Sequence, residues 1–180
     1  MLTLFAAIKP PEYILNLIAP FQRGIEGVRW CPRENLHITV GYFGALDYEQ
    51  AEILDHELAT SPGAGFDLRL GPADVFGKDK PHTLWLAVEP SRSLNALHQH
   101  VRKSARRANI EMETRKFTPH LSLAYLRGDI DRADLSRFIR RHQNFRSRPF
   151  LVDQFSLWSS QPQKTGPNIY EKEANYPLMG

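Results

Sequence analysis

The sequence predicts an α+β fold in two lobes: duplicated antiparallel sheets related by a pseudo-twofold, with helices on the outside and a central cleft. Two repeated peptides and one repeated order of elements lead there. A-I-K-P at 7–10 returns as A-V-E-P at 87–90, and H-I-T-V-G-Y at 37–42 returns as H-L-S-L-A-Y at 120–125. Both pairs sit in the same succession of strand, helix, strand, strand, helix. The repeat runs over roughly 2–60 and 82–142 inside a single domain of residues 1–180.

Taken in order, L-T-L-F-A-A-I at the start is a short apolar strand, and T-L-W-L-A-V at 83–88 is its counterpart. Amphipathic helices follow from Pro11 and from Ser91, with prolines near their starts, where a missing N–H breaks no intrahelical bond. Short strands are expected next, G-V-R-W at 27–30 and I-E-M-E-T at 110–114. L-H-I-T-V at 36–40 alternates apolar and polar residues, so Leu36, Ile38 and Val40 face one side and His37 and Thr39 the other. The same period of two puts Phe43 on the His37 face, where it either lines the cleft as a base-stacking ring or, the commoner role, serves in packing. Asp47 and Asp131 are expected N-caps of the helices that follow each motif. F-D-L-R-L at 66–70 and F-L-V-D-Q-F-S-L-W at 150–158 add strands. Pro119 biases Thr118 to extended backbone, as entry into a strand requires. Trp30, Trp85 and Trp158 lie in apolar runs and read as core.

A chain of 180 residues, 42% hydrophobic and 24% charged, has ordinary globular composition. No apolar run approaches the roughly 18 residues of a membrane span. The N-terminus has no basic region ahead of its short apolar run, so it reads as a first strand and not as a signal peptide. Cys31 is the single cysteine, which rules out an intrachain disulfide and a cysteine-based zinc site. A cytoplasmic monomer, without a membrane partner, is the expectation. Net charge is +3 but uneven: residues 102–148 hold 13 Lys/Arg against 5 Asp/Glu. A basic half suits an anionic ligand such as a phosphate ester or RNA. A solvated helix face is the other reading of R-K-S-A-R-R at 102–107.

In each repeated motif the His and the hydroxyl residue are two apart and point the same way from the strand. Two such strands facing one cleft would present two imidazoles and two hydroxyls. One imidazole can take a proton from a nucleophile while the other gives one to a leaving group. Thr39 and Ser122 can donate to non-bridging phosphoryl oxygens as charge develops there. There is no G-x-x-x-x-G-K-[ST] loop and no third ligand at useful spacing from the two His, so neither cofactor nor metal is expected. Arg115 and Lys116, just before the second motif, are candidates to meet a phosphate. His82 and His142 lack the motif context, and His56, His98 and His100 fall on predicted helices and are expected at the surface.

The stretches E-N-L-H-I-T-V-G-Y-F-G (34–44) and F-T-P-H-L-S-L-A-Y-L (117–126) resemble the two motifs of the two-histidine (2H) phosphoesterases. Within that superfamily they are most similar to the RNA 2′,3′-cyclic phosphodiesterases, also named 2′–5′ RNA ligases. The opening L-F-A-A-I-K-P-P, the lead-in W-C-P-R-E-N-L-H and the closing F-S-L-W-S-S…G-P-N-I-Y extend the resemblance over nearly the whole chain. It implies metal-independent hydrolysis of a 2′,3′-cyclic phosphate, on RNA ends or nucleotides, to a 2′-phosphate, with 2′–5′ joining as the reverse reaction. It implies His37 and His120 as the acid–base pair and Thr39 and Ser122 as phosphate ligands. His120 would be base to water and His37 acid to O3′, roles that the reverse reaction exchanges. Tyr125 stands where many relatives carry a basic residue, and Arg127 is the candidate replacement; Ser122 stands where Thr is commoner. An RNA-end-binding protein, or a phosphoesterase for a cyclic phosphate outside RNA, are the alternatives left open.

Overall fold

In the computed structural model, which describes residues 1–60, 63–77, 79–128 and 130–178, the first apolar run forms β1 (Leu2–Ile8). Its last five residues are buried because strands flank it on both sides. β3 (Ile38–Leu46) pairs with it on one side and β9 (Gln154–Gln161) on the other, both antiparallel, and β10 (Ile169–Pro177) pairs beyond β9. A second group consists of β7 (His120–Tyr125), β6 (Thr83–Val88) and β5 (Leu70–Phe76), again antiparallel. The two groups meet where Ile38 of β3 pairs with Leu121 of β7, giving the order β10-β9-β1-β3-β7-β6-β5. β2 (Arg29–Trp30) adds to β7, and β4 (Phe66–Leu68) pairs separately with β8 (Phe150–Val152). The expected α+β class with antiparallel sheets is what forms, although the two sheet groups are stitched into one through that single pair.

The helices begin where cap chemistry allows. Asp47 accepts from the Gln50 backbone N–H at 2.8 Å and Gln50 reaches back to the Asp47 N–H, a capping box that starts α2 (Tyr48–Ala59). Ser91 caps α3 (Arg92–Arg107) through the Leu94 N–H at 3.1 Å, and Asp131 caps α4 (Arg132–Arg141) through the Ala133 N–H at 2.7 Å. Pro11 precedes α1 (Glu12–Ile18), and its carbonyl accepts from Ile14 and Leu15. α3 buries Leu94, Leu97, Val101 and Ala105 on one face, which packs on β3. The approach is close enough to demand glycine at 41, where a Cβ would stand 2.5 Å from Val101 Cγ1.

Both motif strands carry a β-bulge at the same place. On β3, Thr39 pairs with Ala7 and Gly41 with Ala6, leaving Val40 without a partner on β1. On β7, Ser122 pairs with Trp85 and Ala124 with Leu84, leaving Leu123 without a partner on β6. At each bulge a side chain reaches the carbonyl of the extra residue: His98 Nδ1 meets Val40 O at 2.7 Å, and Gln22 Nε2 donates at 3.2 Å to Leu123 O, which also accepts from the Cys31 N–H at 2.8 Å. The partners are exchanged, since His98 rides on the helix after β6 and Gln22 follows the helix after β1.

Three expectations are corrected. Residues 110–114 form no strand. α3 ends with Asn109 in the left-handed region at φ 55°, and the chain to Pro119 runs irregularly along the cleft, anchored by Met112 and Phe117. His98 is buried, stacked on Phe117 at 3.9 Å, because the α3 stripe that it extends faces the sheet. Phe43 sits in the core at 5% exposure, since the bulge at Val40 flips the parity beyond Thr39 and turns Tyr42 outward instead.

Candidate active site

Ile38 and Leu121 are both fully buried, so the residues flanking them turn to the opposite face. Continued by one residue each way, that antiparallel register sets His37 across from Ser122 and Thr39 across from His120. Each imidazole therefore neighbours the hydroxyl of the other motif. All four line one cleft of about 860 Å³. Arg115 and Lys116 line its rim on the 109–119 segment, exposed, with Arg115 paired to Glu113 at 2.6 Å. Phe43 is outside the lining, and so is Arg127, which is exposed beyond the end of β7. The cation that stands against Tyr125 is Arg29 of β2, its guanidinium carbon 5.0 Å from the ring centroid.

The two histidines are held alike. His37 Nδ1 lies 2.6 Å from the carbonyl of Asn35, and His120 Nδ1 lies 2.8 Å from the carbonyl of Thr118. A carbonyl accepts and never donates, so Nδ1 carries the hydrogen in both rings and Nε2 is left to exchange protons. His37 Nε2 is 3.1 Å from Thr39 Oγ1, where the hydroxyl can donate to it. Lys9 donates to the Arg33 and Glu34 carbonyls at 3.0 and 2.5 Å, tying down the turn that carries Asn35. The ring walls are aromatic: Phe5 and Tyr170 flank His37 at 5.0 and 5.4 Å, and Phe76 meets His120 edge-on at 4.8 Å.

Burial is the main electrostatic influence. It depresses the His37 pKa to about 4, aided by the positive charge of Lys9 and partly offset by the Asn35 carbonyl. Burial also lowers His120, with Arg115 adding in the same direction. Both imidazoles are thus neutral and ready to accept a proton at neutral pH, and an incoming phosphate anion would make protonation of one of them easier.

Several lining residues went unremarked in the sequence as site candidates: Tyr42, His82, Thr83, Asn168 and Tyr170. His82 lacked any motif around it. It enters the cleft because the turn before β6 folds back over Phe76, against which it stacks at 6.3 Å. Tyr170 and Asn168 come from the start of β10, and nothing local in G-P-N-I-Y ties them to a motif some 130 residues earlier; the pairing of β9 with β1 does that. Among the described residues no group of three or more His, Cys, Asp or Glu side chains is placed to hold a metal ion, and no helix is long and apolar enough to cross a membrane.

Comparison with known proteins places the chain in a family. Residues 10–164 match the model of the 2′-5′ RNA ligase superfamily. The chain is 30% identical to the RNA 2′,3′-cyclic phosphodiesterase of Bacillus subtilis (strain 168) over 67% of this chain and 69% of that protein. It is 27% identical to the enzyme of the same name from Methanocaldococcus jannaschii over 93% and 96%. Among solved structures, TT0787 of Thermus thermophilus superposes with a TM-score of 0.80 at 22% identity, covering 99% of this chain and 98% of that one. E. coli LigT in its apo form superposes at 0.77 and 23%, with the same coverage. The bulged, carbonyl-held histidine pair is thus carried on a fold shared with these proteins, and the chain belongs to the 2′-5′ RNA ligase superfamily.

Proposed function

We propose that this protein hydrolyses the 2′,3′-cyclic phosphate of RNA ends or nucleotides to a 2′-phosphate, using His37 and His120 as a metal-independent acid–base pair. The observation that carries the reading is the symmetric pair of Nε2 atoms offered to one cleft, each backed by an Nδ1 bond to a carbonyl. Water attacks phosphorus and the P–O3′ bond breaks. His120 Nε2 takes the proton of the water, and a protonated His37 gives its Nε2 proton to O3′. Exchange with solvent then resets both rings. Thr39 and Ser122 hold the non-bridging oxygens, where charge grows in the transition state. With the 5′-hydroxyl of a second strand in place of water, the same proton transfers would accompany 2′–5′ joining: that hydroxyl attacks phosphorus and gives its proton to His120 Nε2, and the P–O3′ bond breaks as His37 Nε2 protonates O3′.

The test is a panel of 2′,3′-cyclic phosphates, as nucleosides and as oligonucleotide ends, with the product identified as 2′- or 3′-phosphate, with and without EDTA. Turnover to the 2′-phosphate, unchanged by EDTA, is the expected result. His37→Ala and His120→Ala should each lower the rate by about 10²–10⁴, the usual worth of a positioned acid or base. The double variant should be little worse than either, because the pair acts as one unit. Full loss on chelation, restored by a divalent ion, would sink the metal-independent mechanism. A protein that only binds RNA ends would show binding without turnover in the wild type.

A further inference from the structure

Beside the histidines the cleft opens into a side pocket of about 260 Å³, and His37, Ser122, Tyr125, Asn168 and Tyr170 line both spaces. The charged side chain on its far wall is Arg29, and no carboxylate lines it. Arg29 is half-buried on β2, directly across from Tyr125 of β7. Its guanidinium lies over the Tyr125 ring and donates one N–H to the Gly166 carbonyl at 3.2 Å. Among the described residues it has no acidic partner. A guanidinium has five N–H donors in a fixed fork, so one face is stacked, one donor is used and the rest are uncommitted. Burial raises the phenols of Tyr125 and Tyr170 above their ordinary range, so both stay protonated at neutral pH, and since they also interact with each other one O–H is left to donate into the pocket. The pocket thus collects donors and one fixed cation, with no anion of its own, next to the atoms that would hold the cyclic phosphate.

We propose that this side pocket binds a second phosphate of the substrate, the one on the 5′ side of the nucleotide whose cyclic phosphate lies between His37 and His120. The proposal rests on the cyclic phosphodiesterase reading and names its substrate class: cyclic phosphates that carry a further phosphate, as monoester or chain diester, in preference to bare nucleoside cyclic phosphates. Fork geometry suits Arg29 to two oxygens of one phosphate. Tyr125 holds the fork in place through its ring face, so little side-chain freedom is lost on binding.

Three probes test it: adenosine 2′,3′-cyclic phosphate, the same compound with a 5′-phosphate, and the dinucleotide ending in the same cyclic phosphate. The wild type should favour the last two in kcat/KM by about 10-fold or more, the worth of one charge-assisted contact. Whichever of the two is favoured tells a monoester from a diester site. Arg29→Gln should collapse that ratio towards one, and Arg29→Lys should keep part of it. A separate arm needs no variant: kcat/KM for the second-phosphate substrates should fall more steeply with salt than for the nucleoside, since one more phosphate is neutralised. Equal kcat/KM on all three probes, or an Arg29→Gln loss that is the same for each, would overturn the side pocket while leaving the proposed function standing. Absence of turnover on every probe would overturn both.

Discussion

His37 and His120 each lean on the carbonyl two residues earlier in the chain, and that shared hold has a kinetic consequence. The proposed mechanism needs one ring neutral and one protonated, so kcat/KM against pH should be bell-shaped. Burial lowers both values in the free enzyme, His37 to about 4. The maximum of kcat/KM should therefore lie below about 6.5, the ordinary imidazole value. A bound phosphate anion favours the protonated ring, so the kcat profile should be displaced to higher pH than the kcat/KM profile. Rates still climbing past about pH 9 would contradict a histidine pair. Lys9 offers a finer check, because its charge helps to depress His37. Removing that charge in Lys9→Met should raise the His37 pKa, moving the limb that reports it to higher pH. An NMR titration of the His37 ring in the variant reads the shift directly, and an unmoved value would exclude the coupling. The four motif residues were legible in the sequence because the H-x-[TS] spacing sets both side chains on one strand face. Arg29, Tyr170 and His82 were not: pairing between distant strands brings Arg29 to the side pocket and Tyr170 to the cleft, and the turn over Phe76 brings in His82.

The bulges are where the elements depart from a regular pattern, and they explain what a period of two could not reveal. An extra residue leaves no mark on composition, yet it reverses every face after it. Thr39, before the first bulge, fell as expected; Phe43, after it, did not. The caps at Asp47 and Asp131 were legible because capping is local chemistry. The 110–114 segment misled for the opposite reason: its alternation is real, with Ile110 buried and Met112 half-buried, but no neighbouring strand receives it. The two bulge carbonyls supply a graded test. Val40 O relies on His98, so His98→Ala should cost about 1–3 kcal/mol of stability for an unsatisfied buried acceptor, read by denaturant unfolding. Leu123 O also accepts from the Cys31 backbone N–H at 2.8 Å, so Gln22→Ala should cost less. A reversed ranking would mean that the carbonyls are not what these side chains serve.

At the scale of the molecule, three histidines, His37, His98 and His120, have pKa values lowered chiefly by burial. Unfolding returns them to about 6.5. Between the lower folded values and about 6.5 the unfolded chain binds more protons, so stability rises with pH across that window. Their contribution is intact above about 6.5 and is lost as the pH falls below it. Thermal unfolding followed from about pH 7.5 to about pH 5 should show a falling midpoint, and a flat midpoint would contradict it. The free enzyme then has its best acid–base balance where its fold begins to weaken.

The strand order carries one more consequence. β1 precedes the other strands of its sheet in the chain, yet one of its neighbours is β9 and the edge beyond is β10, while β2 leaves the N-terminal half to join β7. Neither sheet group can be completed from one half of the chain. On the ribosome, β1 and β3 can form a hairpin-like pair early, but the other edge of β1 stays open until residues 154–161 have emerged. Through most of synthesis the nascent chain thus carries an apolar strand with one unpaired edge, the kind of surface that chaperones cover and that aggregation exploits.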